Sequence, residues 1–363
     1  MKSLVSDLSI TCADAEPSND NFKYEECDYP VLPLEEDEVL IRSTHLAIDP
    51  ALRCRLNEDS GVDYMKAFEI GDTVAGFGGI GVVIKSSNKT LQKGDMVVSQ
   101  FGWPWKLYFK TKPDTGVNLI KVDKAQCGDR PSLLLSVLGL TSGLTSYIGV
   151  TEKGNIKPGE NQTFVVSGAA GACGSLAGQV SINIDVLQIA KLKGCGKVIG
   201  ICGTDEKCNF LTKELGFDGA INYKTEIVKN SLLELCPDGV DIYFDNVGGE
   251  ISNTVIRQMN KQSHVILCGQ IAVYNKDLPY PPPIPEDVQK IISERGIKRD
   301  RFLVLNYPEK FDAALQELAE WVSQGKIKVH ETITEGLENA GNAFVSLMKG
   351  GNIGKQIVFI PEK

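Results

Sequence analysis

Histidine is scarce in this chain: among 363 residues there are three, His45, His264 and His330. A site of several imidazoles is hard to assemble from so few, so metal catalysis starts out disfavoured. Cysteine pairs are missing as well. The ten cysteines stand at 12, 27, 54, 127, 173, 195, 202, 208, 236 and 268 without a CxxC spacing, and the closest two, Cys202 and Cys208, fit neither a redox pair nor a zinc knuckle. A chain this long needs no staples, so the thiols are expected to be reduced, as in the cytoplasm. No run approaches the roughly 18 consecutive apolar residues of a membrane span. The apolar run near the N-terminus contains Asp7, so no targeting segment is expected. Positive charge is in deficit, with 38 Lys and Arg against 47 Asp and Glu and a net charge of -9. The basic residues are scattered, which argues against nucleic acid or an anionic membrane as partner. What remains is a soluble, cytoplasmic protein of ordinary composition, 42% apolar and 23% charged, with room for about two domains.

The first third carries short β-like runs separated by turns, at Glu38–Arg42, Gly79–Ile84, Gly94–Val98 and Asn118–Val122. This spacing predicts a small, mostly antiparallel barrel. From about Pro131 the texture changes to strands alternating with helical stretches, beginning with Leu133–Leu140. Buried-strand candidates follow at Gln162–Ser167, Lys197–Cys202, Gly219–Asn222, Val240–Phe244, His264–Cys268 and Arg301–Leu305. Six such strands predict an α/β fold with a doubly wound parallel sheet that binds a nucleotide. An amphipathic helix after Phe311 leads to a terminal strand, Lys355–Ile360, which has no sheet of its own and is expected to return to the N-terminal barrel. The expected domains are 1–137, 138–308 and a returning segment, 309–363. The proline-rich Pro279–Pro285 is read as an exposed loop near the site, since proline lacks an amide donor and fixes φ.

The strand ending at Ser167 runs into Gly168-Ala-Ala-Gly171-Ala-Cys-Gly174, a glycine-rich turn opening a helix. Such a turn lets backbone approach a pyrophosphate, and free amides at the helix N-terminus supply the positive end. The fingerprint G-x-G-x-x-G would want glycine at Ala169, so the signal rests on its placement between strand and helix. A phosphate-loop look-alike, Gly350–Gln356, lacks the Ser or Thr that would hold magnesium and precedes a strand, so a nucleotide triphosphatase is rejected. The tip of the second strand reads Cys202-Gly203-Thr204-Asp205-Glu206-Lys207. Glycine stands where an NAD-specific fold places a carboxylate, and Thr204 and Lys207 can hold a 2′-phosphate. NADPH is favoured over NADH, although the same residues also make an ordinary helix start. Gly174 and Gly203 lie 29 residues apart, against a typical value of about 20. The excess is assigned to Val180–Gln188, which either loops out or is an irregularity of the gene.

Several stretches then coincide with one family: Asp49-Pro-Ala-Leu-Arg-Cys-Arg, Trp103-Pro-Trp105, Val166–Ser175, Tyr243-Phe-Asp-Asn-Val-Gly-Gly249, Cys268-Gly-Gln-Ile, Tyr280-Pro-Pro-Pro283, Arg301–Tyr307 and Gly350–Val358. Over nearly its whole length the chain resembles the prostaglandin reductases, 15-oxoprostaglandin 13-reductases in the zinc-independent branch of the medium-chain dehydrogenase/reductase superfamily. The resemblance implies a Rossmann domain inserted in a GroES-like, mostly β catalytic domain. It places Gly171, Ala172, Cys173 and Gly174 at the pyrophosphate, and Lys207 and Tyr223, with Thr204, at the 2′-phosphate. It assigns Asn246 to the cofactor, with Cys268, Gly269, Gln270, Ile271 and Tyr274, then Phe302, Leu303 and Val304, framing the nicotinamide, and Asn352 reaching in from the tail. Tyr64, Phe101, Leu303 and Tyr274 fall on the substrate side. Gly102 stands where relatives carry a second aromatic, which implies a wider pocket wall.

Zinc-dependent relatives need ligand sets that this chain lacks: it has Thr44-His45-Leu-Ala-Ile-Asp49 and Ala75-Gly-Phe-Gly-Gly79, and no four-cysteine lobe. An enone suits a metal-free site, because hydride at the β-carbon makes a delocalised enolate that a positioned hydroxyl can stabilise. Tyr274 is the expected donor to the carbonyl oxygen, with Tyr64 the second catalytic candidate. His45 is read as structural, Trp103 and Trp105 as packing, and Asp245-Asn246 either as a helix cap or, at Asn246, as a cofactor contact. The expected partner is a small lipid enone, handled by a monomer or homodimer. A quinone reductase and a non-catalytic NADPH-binding protein are the competing readings.

Overall fold

The run Val39–Ile48 is buried at both ends and is the hub of the first sheet. The computed structural model describes residues 2–5, 16–30, 32–57, 60, 65–114, 117–123, 127–157, 159–181, 194–276, 278 and 281–362. One edge of the hub strand pairs antiparallel with Gly79–Ser86. Its other edge pairs with Tyr108–Thr111 through residues 39–42 and with Lys355–Phe359 through residues 45–48. Met96–Ser99 and Ile120–Lys121 extend the sheet on one side, and Glu331–Glu335, parallel to Lys355–Phe359, ends it on the other.

The last strand of the chain therefore lies in the sheet of its first third, and buried charge fixes it there. Lys355 Nζ lies 2.5 Å from Asp49 Oδ1 and 3.2 Å from Thr141 Oγ1. Glu331 accepts hydrogen bonds from Ser132 Oγ and Ser136 Oγ at 2.8 and 2.6 Å. Trp103 and Trp105 are fully buried in the core of this unit, and the Trp103 indole donates to Ser43 Oγ at 3.1 Å.

The second sheet has six strands: β1 (Thr163–Ser167), β2 (Lys197–Cys202), β3 (Gly219–Asn222), β4 (Val240–Asp245), β5 (Met259–Leu267) and β6 (Lys298–Arg301). All pairings are parallel, in the order β3-β2-β1-β4-β5-β6. β1 and β4 are central and buried at nearly every position, as expected for continuous apolar runs covered on both faces. Strand order reverses between β1 and β4, and in open parallel sheets ligands bind at the carboxyl ends of the strands beside such a switch. Helix α1 (Ala172–Ser181) follows β1.

The sixth strand differs from the sequence expectation. It is formed by Lys298-Arg-Asp-Arg301 and not by Arg301–Leu305. At the sheet edge it pairs on one side only, so a charged segment is tolerated there and leaves no hydrophobic signal. The apolar run that follows is a 3-10 turn, Val304–Asn306, with Phe302 and Val304 buried and the Phe302 N–H bonded to Leu267 O at 3.1 Å. The stretch expected to be helical from Leu133 breaks into a 3-10 turn, Pro131–Leu134, and a π-helical turn, Leu140–Leu144, that enters the helix Thr145–Lys153. Val180–Gln188 begins at the end of α1 and lies outside the described residues from 182 onward. In the proline-rich segment, residues 281–285 form neither helix nor strand, and 279–280 lie outside the described residues.

Two compact units result: residues 1–141, 275–277 and 331–363, and residues 142–274 and 278–330. The helix Phe311–Ser323 falls in the second. Among the described residues no helix is long and apolar enough to cross a membrane.

Candidate functional site

The site is built from the ends of β1, β2, β4 and β5. At the end of β1 the chain turns through Gly168, whose φ of +60° is the left-handed region that L side chains avoid. The Gly171 N–H closes the turn on Gly168 O at 2.9 Å. Gly174 sets α1 directly on that turn, since a Cβ there would lie 2.4 Å from Gly168 O. Farther along the helix, a Cβ at Gly178 would lie 2.0 Å from the Phe217 ring. The alanine at the first fingerprint position also has a physical account. Ala169 is fully buried, and its methyl would sit 2.9 Å from a Cβ at Gly200, so glycine on β2 makes the room that glycine at 169 would otherwise have made.

The cradle suits a dinucleotide. A Cβ at Gly171 would meet only the Gly168 carbonyl, at 3.2 Å, and nothing else within 4 Å. The amides of Ala172, Cys173 and Gly174 form the first turn of α1, where backbone donors have no helical partner. After β5, Gln270 is buried and its Oε1 has no hydrogen-bond partner among the described residues, an acceptor in want of a ligand donor.

Beside the glycine turn, Asp245 is fully buried. Its carboxylate accepts from the Tyr243 hydroxyl, the Val247 and Gly248 amides and the Ser252 hydroxyl at 2.7–3.1 Å. Burial and this carboxylate together push the Tyr243 hydroxyl well above its usual range. Asp245 thus closes the loop ahead of the helix Gly249–Arg257, whose N-cap is Gly248 without a side-chain cap, while Asn246 braces the two central strands: its Nδ2 donates to Ser167 O at 2.8 Å and its N–H to Ser167 Oγ at 3.1 Å. Its Cβ lies 3.4 Å from the position of a Cβ on Gly168. The Ser167–Tyr243–Asp245–Ser252 network escaped sequence reasoning; its one signal was a lone carboxylate closing a buried strand.

The loop after β5 follows the loop after β4. Cys268 and Gly269 amides both donate to Asp245 O, Ile271 to Asn246 O and Ala272 to Val247 O. Tyr274 folds back over this loop, its hydroxyl accepting the Gln270 N–H at 3.3 Å and lying 3.2 Å from the position of a Cβ on Gly269. The Cys268 thiol is raised well above its usual range, first by its hydrogen bond with Cys173 and then by burial. That pair ties the end of β5 to the first turn of α1. Phe302 and Val304 are buried and Leu303 half-buried in the segment after β6.

At the end of β2, Thr204 caps the short helix Asp205–Asn209, its Oγ1 accepting the Lys207 N–H at 3.2 Å. The helix-start role therefore falls on the residue that was also expected to hold the 2′-phosphate. A Cβ at Gly203 would lie 3.0 Å from the Tyr223 hydroxyl, which brings Tyr223 to the tip. Burial lowers the Lys207 ammonium and repulsion from Lys224 lowers it further, against the Cys202 thiol and Glu206, which act to raise it.

Thus the expected residues of the second unit converge on the strand ends. Phe101, Gly102 and Asn352 lie in the first unit. Phe101 packs its ring against Phe77 at 5.7 Å. Gly102 has φ +72°, which disfavours an aromatic there and gives the departure at this position a backbone reason. Asn352 is buried, its Nδ2 bonded to Gly354 O at 2.7 Å. Tyr64 lies outside the described residues. Among the described residues no group of three or more His, Cys, Asp or Glu is placed to hold a metal ion. His45 bonds Thr44 Oγ1 at 3.0 Å and packs on Phe359, and burial lowers its pKa to about 4.

A family model described as the N-terminal domain of oxidoreductase matches residues 11–115, and one described as zinc-binding dehydrogenase matches residues 184–320. Prostaglandin reductase 1 of Bos taurus is 40% identical over 94% of this chain and 94% of its own length. YfmJ of Bacillus subtilis, named as an NADP-dependent oxidoreductase, is 38% identical over 95% of this chain and 94% of its own. The crystal structure of CurA in complex with NADPH from Vibrio vulnificus aligns with a TM-score of 0.85 at 31% identity, covering 100% of both chains.

Proposed function

Since the chain belongs to the zinc-independent branch of the medium-chain dehydrogenase/reductase superfamily and is an oxidoreductase, we propose that it uses NADPH to reduce an activated carbon–carbon double bond. The substrate class is 15-keto-prostaglandins, reduced at C13–C14 as by prostaglandin reductase 2, together with related α,β-unsaturated ketones and aldehydes. The NADPH complex of CurA and the name of YfmJ support the cofactor, and prostaglandin reductase 1 supports the substrate class.

Bound NADPH supplies hydride to the β-carbon of the enone. The residues of this chain do the rest. Backbone amides of Ala172, Cys173 and Gly174 hold the pyrophosphate; Thr204, Lys207 and Tyr223 hold the 2′-phosphate. Asn246 braces the cradle between β1 and β4, and Gln270 offers its unpartnered Oε1 to the carboxamide or a ribose hydroxyl. Tyr274 orients the carbonyl and donates a hydrogen bond to the oxygen as negative charge develops there, and a proton from solvent or from that tyrosine goes to the α-carbon to complete the saturated bond.

The observation that carries this reading is the Tyr274 hydroxyl, pinned at the carboxyl end of β5 as an acceptor of the Gln270 N–H. The test is NADPH oxidation with a 15-keto-prostaglandin, an alkenal and a quinone side by side. Faster turnover of the enones supports the proposal, whereas turnover confined to the quinone replaces it with quinone reduction.

A further inference from the structure

We propose that Asn222 is a positioning residue for cofactor choice: its side-chain amide ties up the Asp205 carboxylate, so that the ribose 2′ position meets Lys207 and Thr204 without that carboxylate turned toward it. The inference rests on the reading of Thr204 and Lys207 as the 2′-phosphate subsite.

In Rossmann folds a carboxylate at the tip of the second strand bonds the ribose hydroxyls of NAD and repels a 2′-phosphate. This chain has glycine at the first tip position, but a carboxylate follows two residues later. Asp205 opens the helix after β2 and is exposed. Left to rotate, it would reach toward the same ribose.

Asn222 prevents this. It is the last residue of β3, 4% exposed, and its Nδ2 donates to Asp205 Oδ1 at 2.7 Å. The orientation of the amide is decided by its other end, since Oδ1 accepts the Lys224 N–H at 3.2 Å. The backbone around it is also fixed: the Asn222 N–H donates to Glu226 Oε1 at 2.8 Å, and its carbonyl accepts the Thr225 and Glu226 amides. Strand order gives the tether a direction. β3 flanks β2 on the side opposite β1, and β1 carries the glycine turn. The carboxylate is therefore drawn away from the pyrophosphate end of the site, while Lys224, two residues past Asn222, adds a second cation beside Lys207.

The experiment measures binding of 2′,5′-ADP and 5′-AMP to the full chain by calorimetry, probes that differ only in the 2′-phosphate. Asn222→Asp keeps an acceptor for the Lys224 N–H, loses the donor and sets two carboxylates against each other. We expect 2′,5′-ADP to bind about tenfold or more weakly with 5′-AMP changed less than about twofold. Adding Asp205→Asn restores the pair with donor and acceptor exchanged, at the parent's net charge, and should recover most of the loss. Asp205→Asn alone, on an exposed side chain, should bind 2′,5′-ADP at least as tightly as the parent. Equal weakening of both probes, failure of the exchanged pair to recover, or a loss in Asp205→Asn alone overturns the inference. Lys207→Ala separates it from the underlying reading. An unchanged preference for 2′,5′-ADP in that variant removes the subsite itself, whereas a lost preference beside an inert Asn222 series removes only the positioning role.

Discussion

At the scale of single residues, Tyr274 carries most of the proposed chemistry. Its hydroxyl is fixed by a backbone amide, so Tyr274→Phe should leave the fold and the NADPH affinity nearly unchanged. The interaction strengthens only as charge develops on the substrate oxygen, so kcat should fall by about tenfold to a thousandfold. Single-turnover kinetics and a cofactor titration separate the two effects; a weakened cofactor with normal kcat would remove the tyrosine from the chemistry. His45 makes a different prediction. In the folded protein its imidazole stays neutral down to a pH of about 4, whereas in the unfolded chain it protonates near pH 6.5. Between those values the unfolded state binds more protons, so stability is complete above the upper value and falls as pH drops, by about 3 kcal/mol at the lower end. His45→Gln should flatten the dependence of the urea midpoint on pH across this window, and a dependence as steep as the parent's would contradict it.

At the scale of elements, the glycines of α1 set how closely helix and sheet approach. Gly178→Ala adds a methyl that would lie 2.0 Å from the Phe217 ring. The overpacking should cost about 1–3 kcal/mol, in spite of alanine's better helix propensity, and a neutral or raised melting temperature would show that the packing is looser. The central strands were legible in sequence because burial on both faces makes them continuous apolar runs. β6 was not, since an edge strand of Lys298-Arg-Asp-Arg301 carries no apolar period. The glycine turn was legible as a motif, but the role of Gly200 in admitting Ala169 was not, because it depends on which strand lies beside β1. Gln270 was reached through the family motif, but the Asn222–Asp205 pair was hidden, because its chemistry comes from neighbours distant in sequence that are brought together only by the register of β2 with β3.

At the scale of the whole molecule, the first unit is assembled from the two ends of the chain, and Asp49 with Lys355 joins them. Both side chains are buried, at 8% and 2% exposure. Asp49→Ala leaves an ammonium without its counter-charge and should cost about 3–5 kcal/mol in urea unfolding. Adding Lys355→Met should return a large part of that loss, because burying neither charge avoids the desolvation penalty; a single variant within about 1 kcal/mol of the parent would contradict a desolvated pair.

The central proposal is that this chain directs hydride to the β-carbon of an enone and not to its carbonyl carbon. The most direct measurement is the product formed from a 15-keto-prostaglandin with NADPH deuterated at the transferred position of C4, read by mass spectrometry and NMR. The account predicts one deuterium at C13, a saturated C13–C14 bond and an intact ketone at C15. Deuterium at C15 in an alcohol that keeps its double bond would contradict it.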